Sequence, residues 1–187
     1  MPSMSAHLVC AKEVLKIVEI DDKINFYKGA IYPDLIKDGH YKMPSKNKMF
    51  YVPNISKFLE NSNIKNESFY LGYICHLLLD YYFLEEFAIK FGYEPFINGS
   101  IYKDYDKISQ KLLIDFGFDF DEVRHLLSIK YNEVCIDKLH AHLHFLDLPL
   151  NDEPLDNFDY MEFTQFIKIT SIKIKSELDK YKKLIKN

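Results

Sequence analysis

Residues 66–90 read NESFYLGYICHLLLDYYFLEEFAIK, and this segment decides the fold class. From Phe69 to Leu84 every side chain is apolar or aromatic, with three exceptions: Gly72, His76 and Asp80. A helix that is apolar on all sides is buried in the middle of its domain. The three exceptions are four residues apart, so they form one narrow stripe along one face of the helix. The segment is too short, and too polar on that stripe, to span a membrane.

Apolar residues at helical spacing predict further helices on both sides of this segment. The predicted bounds are Ser5 to about Glu19 with Ser5 as the N-cap, about Asp22 to Lys28, Ile55 to Asn61, about Asp104 to Phe116, about Asp119 to Ile129, about Tyr131 to Leu146, and Phe158 to Ile185. Pro33 is expected to end the second helix or to start a turn. Residues 38–54 are polar and predict a long loop, and long loops in compact domains are often functional.

Composition restricts the fold class further. The 187 residues are 48% hydrophobic, which excludes a disordered chain and is enough for one sizeable core. Six glycines and seven prolines are too few for a collagen-like or turn-dense all-β protein. No repeat and no second apolar core is visible. We therefore predict an all-α, single-domain multi-helix bundle over residues 1–187, built around the buried central helix at about 66–90.

Charge and cysteine usage restrict the function class. The net charge is −4, and Arg124 is the only arginine among 24 basic residues, so a specific nucleic-acid partner is not expected. Cys10, Cys75 and Cys135 are too widely spaced for a disulfide framework or a metal knuckle. The start of the chain lacks a secretory pattern, and no run of about 18 apolar residues occurs. These features predict a cytoplasmic protein without a transmembrane segment.

His76 and Asp80 are the first candidates for chemistry. At a spacing of four residues on a helix their β-carbons lie roughly 5–6 Å apart, which lets an imidazole and a carboxylate share one metal ion. An ionised carboxylate in an apolar shell costs several kcal/mol unless it is paired or coordinated. The simpler alternative is a hydrogen-bonded polar pair in which His76 donates to Asp80. The spacing alone leaves both interpretations open.

Three residues outside the central helix strengthen the metal interpretation. His7 lies near the start of the first helix, Asp34 follows Pro33, and His40 follows Gly39 in the long loop. Each also has an ordinary interpretation: a packed histidine, a cap for residues 35–37 and a solvated loop residue. Together they supply the nitrogen and oxygen ligands that suit zinc.

One competing group of histidines is present. His140, His142 and His144 alternate, and the first and last have the spacing of a metal pair on a helix. No carboxylate lies four residues from any of these histidines, as Asp80 does from His76. Leucines at 139, 143 and 146 explain the segment as an amphipathic helix. A serine nucleophile is not indicated either, because no serine lies in a glycine-flanked elbow.

The order of these residues resembles the bacterial zinc-dependent phospholipase C family. The resemblance covers roughly the first 110 residues and is carried by His7, by the sequence GAIYPD at 29–34, by His40 and by LGYICHLLLD at 71–80. It implies an all-helical protein related to the zinc-dependent single-strand nucleases. Members of that family use three zinc ions to hydrolyse phosphate esters.

The resemblance also implies a set of ligands. Asp34, His40, His76 and Asp80 match the ligands of one zinc, and His7 with a bridging Asp80 matches part of a neighbouring site. In the family, the third zinc is bound by a histidine at the position that corresponds to Glu86, and by a histidine and a glutamate that are four residues apart. This sequence has Glu86 in place of the first histidine, and no matching histidine–glutamate pair follows it. The acidic residues that can substitute are Asp104 and Asp106, for which the start of a capped helix is the alternative interpretation.

We therefore expect a metal-dependent phosphoric ester hydrolase, a phospholipase C-like phosphodiesterase. Zinc is the expected cofactor, as two or three ions, and the oxygen ligands also admit Mn, Mg or Fe. Asp34 is the candidate catalytic carboxylate, because it can orient the attacking water. The expected substrate is a small-molecule or lipid phosphate ester. The alternatives are a non-catalytic metal-binding helical domain that binds a partner or ligand, and a metal-free helical bundle.

Overall fold

Helices dominate the structure. The computed structural model describes residues 2–46, 48, 50–90, 92–128, 144–151 and 153–185. Within these residues the chain forms eight α-helices and one short antiparallel hairpin, in which Met43 pairs with Val52. The elements are α1 (Met4–Leu15), α2 (Lys23–Leu35), β1 (Met43–Pro44), β2 (Tyr51–Val52), α3 (Ile55–Asn61), α4 (Glu67–Tyr82), α5 (Glu94–Ile97), α6 (Ile101–Asp115), α7 (Phe120–Ser128) and α8 (Tyr160–Ile185). The predicted all-α bundle is confirmed.

Helix α4 is the buried centre of the bundle. The Asn66 side chain caps its first turn by accepting a hydrogen bond from the backbone N–H of Phe69 at 2.9 Å. Every residue from Leu71 to Asp80 is buried, and the helix packs against α1, α2 and α8. Beyond Tyr82 the chain continues through a π-helical turn at Phe83–Phe87 and a 3-10 turn at Ala88–Lys90. The predicted central helix is thereby confirmed, although its last two turns are not α-helical.

Helices α2 and α4 touch through their backbones at two glycines. A β-carbon on Gly29 would lie 2.0 Å from the carbonyl oxygen of Phe69, and one on Gly72 would lie 2.0 Å from that of Phe26. No other residue type fits at either position, because a backbone carbonyl cannot rotate away as a flexible side chain can. This reciprocal contact fixes the distance and the register between the two helices.

The start of α1 differs from the predicted one. The N-cap is Ser3, whose hydroxyl accepts from the backbone N–H of Ala6 at 3.4 Å. Ser5 lies inside the helix, is buried, and donates to the hydroxyl of Ser109 on α6 at 3.0 Å. The prediction of Ser5 as the N-cap was wrong because two serines precede the apolar run and the sequence pattern does not distinguish them.

Pro33 does not end α2, as was predicted, but lies inside its last turn. There a proline removes only the hydrogen bond to the carbonyl four residues earlier, and the contact with α4 holds the rest of the helix in place. Asp34 is consequently a helical residue of α2 and not a cap for the residues that follow it.

The remaining differences are smaller. The predicted loop at 38–54 contains the β1–β2 hairpin, and α8 is continuous through its β-branched stretch at 169–172. Most of the helix predicted at 131–146 lies outside the described residues, and its end, His144–Asp147, is a 3-10 turn. None of the described helices combines the length and the apolar character that crossing a bilayer requires.

The change Gly72→Ala is expected to destabilise the protein by about 3 kcal/mol, because the new methyl group forces α2 and α4 apart. For a chain of this length that corresponds to a fall in melting temperature of roughly 6–12 °C. Thermal unfolding followed by circular dichroism measures the effect.

Gly92→Ala is the control for this prediction. Among the described residues, chain neighbours aside, no atom lies within 4 Å of the added β-carbon, and φ is +79°, so only backbone strain of about 1 kcal/mol is expected. Equal decreases in melting temperature for Gly72→Ala and Gly92→Ala would contradict the direct contact between the helices.

Candidate metal centre

Five of the predicted site residues meet between α1, α2 and α4. His7 comes from α1, Asp34 from the last turn of α2, His40 from the loop that follows, and His76 with Asp80 from α4. Segments that are distant in the sequence therefore supply three imidazoles and two carboxylates to one small volume. We call these five residues the His/Asp cluster.

The side-chain atoms of the His/Asp cluster converge closely. The Oδ2 atom of Asp80 lies 3.3 Å from the Nε2 atoms of both His40 and His76. Its Oδ1 atom lies 3.3 Å from Nε2 of His7. Asp34 Oδ1 lies 3.3 Å from Nε2 of His40 and 3.8 Å from Nε2 of His76. The ligand atoms fall into two groups, each within 4.8 Å, that share one histidine: His7, Asp34 and His76, and His40, His76 and Asp80.

His76 is oriented by the backbone of α2. Its Nδ1 atom lies 2.7 Å from the carbonyl oxygen of Ala30. A carbonyl only accepts hydrogen bonds, so Nδ1 carries the hydrogen, and Nε2 faces the cluster, 3.1 Å from Nε2 of His40. The ring of His7 stacks on that of His76, with centroids 3.6 Å apart and planes at 7°. A donated ring N–H of this kind orients metal-binding histidines in proteins.

The loop that carries His40 is held by contacts on both sides. The Tyr73 hydroxyl on α4 donates to the carbonyl oxygen of Gly39 at 2.5 Å. A β-carbon on Gly39 would lie 2.5 Å from the carbonyl oxygen of Pro33, so the loop packs directly on the end of α2. Asp38 and Tyr41 have positive φ values of 58° and 48°, a conformation that costs non-glycine residues energy. The surrounding contacts therefore hold His40 in a strained turn beside the cluster.

Both carboxylates of the cluster are ionised despite their burial. Burial by itself raises the pKa of Asp80, but the neighbouring His76 and His7 outweigh it and hold that pKa well below its ordinary value. His76 and His40 likewise outweigh the effect of burial on Asp34 and hold its pKa below the ordinary value. Burial lowers the pKa of His40, but the adjoining carboxylates outweigh it and raise that pKa to about 9. The cluster thus holds two ionised carboxylates beside a protonated His40 inside the protein.

The hydrogen bonding of the cluster is incomplete, and this observation favours a cation. Both side-chain oxygens of Asp80 and both ring nitrogens of His7 are buried without a hydrogen-bond partner in the described part of the chain. A buried carboxylate without hydrogen bonds costs several kcal/mol, and either a coordinated ion or its contacts with the three imidazoles at 3.3 Å can offset that cost. His76 donates to Ala30 and not to Asp80, so the simpler alternative of a hydrogen-bonded polar pair is not supported. Imidazole nitrogens with carboxylate oxygens form the donor set of zinc sites.

The three weaker candidates lie outside both ligand groups. Glu86 is exposed on the π-helical turn and forms an ion pair with Lys173 of α8 at 2.5 Å. Asp104 is buried but accepts from the backbone N–H groups of Asp156 and Asn157 at 3.0 and 2.9 Å, so it anchors that loop. Asp106 is exposed on α6. The structure does not bring these three residues to the His/Asp cluster, as a third metal site requires.

Tyr105 of α6 is a buried polar residue that the sequence did not indicate. Its hydroxyl is buried and has no hydrogen-bond partner among the described residues. Burial, and next the charge of Asp80, raise the pKa of that hydroxyl. A tyrosine on the apolar face of an amphipathic helix has the same sequence pattern as a core residue, so no signal pointed to it.

The competing histidines at 140 and 142 lie outside the described residues. His144 is exposed on its 3-10 turn. No conclusion about a second histidine group follows from that single residue.

Comparison with known protein families points to the same segment. The model of the zinc-dependent phospholipase C family matches residues 6–83, a stretch that contains all five residues of the His/Asp cluster. The match confirms the predicted family resemblance for this part of the chain. Glu86, Asp104 and Asp106 lie beyond it. No curated protein and no solved structure matches the chain.

We expect His76 to be the Nδ1–H tautomer in the metal-free protein, because the carbonyl of Ala30 accepts that hydrogen. Long-range nitrogen–proton NMR correlations of the imidazole rings distinguish the two tautomers. His125, which is exposed on α7, is the control and should show averaged signals. An Nε2–H tautomer at His76 would contradict the orientation described above.

Proposed function

We propose that the protein is a zinc-dependent hydrolase of phosphate esters with phospholipase C-like chemistry. The observation that carries the proposal is the buried convergence of three imidazoles and two ionised carboxylates, in which the oxygens of Asp80 have no hydrogen-bond partner. The family match over the same segment supports zinc as the ion and a phosphate ester as the substrate class. In this proposal the whole His/Asp cluster serves as ligands.

Zinc bound by these residues supplies two effects, a lowered pKa of a bound water, to about 7, and polarisation of a phosphoryl oxygen. The protein supplies orientation, because Ala30 fixes the His76 ring and α4 fixes the spacing between His76 and Asp80. The near absence of arginine fits this proposal. Arg124 forms an ion pair with Asp147 at 2.7 Å and is not part of the cluster, so stabilisation of phosphate charge falls to the ion.

Among the five cluster residues, Asp34 and His40 form the exposed edge, and this supports a catalytic role for Asp34. The side chains of His7, His76 and Asp80 are fully buried, whereas those of Asp34 and His40 are 10% exposed. Substrate and water therefore approach from the side of Asp34 and His40. At this edge the ionised Asp34 carboxylate orients the attacking water and can accept its proton.

Hydrolysis of an aryl phosphodiester, bis(4-nitrophenyl) phosphate, is expected to depend on added zinc. Asp34→Asn should lower the rate by about 100-fold or more, because it removes the carboxylate that orients the water. Release of nitrophenolate measures the rate. Absence of hydrolysis by zinc-loaded protein with this diester, a phosphocholine ester and an aryl monoester would contradict the enzymatic proposal.

Asp106→Asn is the matched control for Asp34→Asn. Asp106 is an exposed carboxylate outside the cluster, so its change should leave the hydrolysis rate unaltered. A similar loss of rate in both variants would mean that general changes of charge, and not the position of Asp34, determine the rate.

Zinc is expected to raise the melting temperature of the wild-type protein and a chelator to lower it. A site occupied at about 100 times its Kd stabilises by roughly 2.7 kcal/mol, a shift of several degrees for this chain. Asp80→Asn keeps the size of the side chain but removes the charge, so its melting temperature should respond little to either reagent. Differential scanning calorimetry on protein purified without a histidine tag measures the shifts.

Asp104→Asn is the control for this experiment. Asp104 is as buried as Asp80, but its oxygens accept hydrogen bonds from the loop at 156–157. The Asp104→Asn variant should be less stable and yet keep the full response to zinc. Loss of that response in the Asp104 variant would show that Asp104 is a ligand, and equal responses of wild type and Asp80→Asn would contradict the proposed site.

A non-catalytic metal-binding domain is the second candidate function. It is favoured by the ion pair of Glu86 and by the structural role of Asp104, which leave the third metal position of the family without a counterpart. Zinc content separates the candidates, since the catalytic proposal expects at least two ions per chain. One tightly held ion, together with absence of hydrolysis, would favour a structural or sensory metal.

A further inference from the structure

A second feature involves the chain segment that carries His40. It is a surface cavity of about 510 Å³, a size in the usual range for ligand pockets. One wall is formed by residues 36–42, and the opposite wall by α3. The lining residues are Ile36, Lys37, Asp38, Gly39, Tyr41, Lys42, Lys57 and Asn61. We call it the lysine cavity.

The three lysines of this cavity form no ion pair with any residue that the structure describes. Within the described part of the chain no carboxylate lies within 4.0 Å of the ammonium group of Lys37, Lys42 or Lys57. Asp38 is the only acidic residue among those that line the cavity, so its lining has an excess of positive charge. This local excess contrasts with the net charge of −4 of the whole chain.

In another cavity that is lined by lysines, the ammonium groups are paired with carboxylates of the protein. A cavity of about 340 Å³ beside α6 is also lined by two lysines. There Lys107 contacts Asp156 at 3.3 Å, and Lys111 contacts Asp115 at 3.3 Å. Those ammonium groups are already paired with carboxylates of the protein. The lysine cavity lacks such partners, and a bound anion would supply them.

The lysine cavity and the metal centre share one segment of chain. Residues 36–42 form the wall of the cavity and also carry His40, one of the two cluster residues that reach solvent. Gly39 and Tyr41, on either side of His40, both line the cavity. The shared segment therefore places the cavity within one residue of a cluster member along the chain.

We propose that the lysine cavity binds a second phosphate group of the ester that the metal centre hydrolyses. The inference rests on the proposed function for the identity of the first phosphate. It assigns the substrate class as phosphate esters that carry an additional phosphate, either as a lipid headgroup or as a soluble sugar phosphate. The lysines act as positioning residues, because they bind the part of the substrate that does not react.

Binding to zinc-loaded protein tests the proposal with two pairs of probes. The soluble pair is glucose 1,6-bisphosphate and glucose 6-phosphate, followed by titration calorimetry. The lipid pair is phosphatidylcholine vesicles that contain phosphatidylinositol 4-phosphate or phosphatidylinositol, followed by co-sedimentation. In at least one pair the probe with the extra phosphate should bind about tenfold more tightly, a modest factor because the lysines are exposed to solvent.

The double variant Lys37→Gln/Lys57→Gln should abolish this preference, whereas Lys103→Gln should keep it. Lys103 is exposed on α6, far along the chain from the cavity, and forms no ion pair among the described residues, so it is a matched control. Absence of a preference in both pairs of probes would overturn the proposal. A preference that survives in the double variant would overturn it as well.

The experiments distinguish a failure of the proposed metal centre from a failure of the second phosphate site. If chelator removes no ion and changes no melting temperature, but the preference for the extra phosphate still depends on Lys37 and Lys57, the metal centre is wrong and the anion site stands. If zinc binds and esters are hydrolysed without any such preference, the metal centre stands and the second phosphate site is wrong.

Discussion

Two helices of this protein are in direct backbone contact where Gly29 faces Phe69 and Gly72 faces Phe26. The position of the cluster depends on this contact. It brings the carbonyl of Ala30, one residue after Gly29, within hydrogen-bond distance of His76, one turn after Gly72. A larger residue at either glycine would separate the two helices and remove the acceptor that orients the His76 ring. The two glycines therefore determine both the packing of the helices and the geometry of the cluster.

The surroundings of the buried carboxylate of Asp80 differ from those of an ordinary buried carboxylate. Buried carboxylates in proteins are normally surrounded by hydrogen-bond donors, as Asp104 is here. Asp80 is equally buried, but its nearest polar neighbours are imidazole nitrogens at 3.3 Å that form no hydrogen bonds with it. This contrast between two buried aspartates of one chain is the strongest physical argument that the cluster holds a cation.

Part of this arrangement could be predicted from the sequence. The central helix was predicted because its apolar character leaves no solvent-facing side, and the five residues of the cluster because their order resembles a known family. The path of α2 through Pro33 could not be predicted, since it depends on support from α4. The π-helical turn after Tyr82, which carries Glu86, has no sequence signature, so the ion pair of Glu86 with Lys173 could not be predicted. The single domain over residues 1–187 and the cytoplasmic location remain predictions.

The strained turn around His40 has a consequence for kinetics. Three members of the cluster are held on helices α1 and α4 and are fully buried, so an ion bound there cannot leave through them. Asp34 and His40 lie at the only exposed edge found among the described cluster residues, and His40 is carried by a turn with positive φ on both sides. Opening of that turn would relieve its backbone strain and would move His40 away from the other four cluster residues. For a metal held as proposed, we therefore expect the residence time to depend on the backbone of residues 38–41 as well as on the ligands.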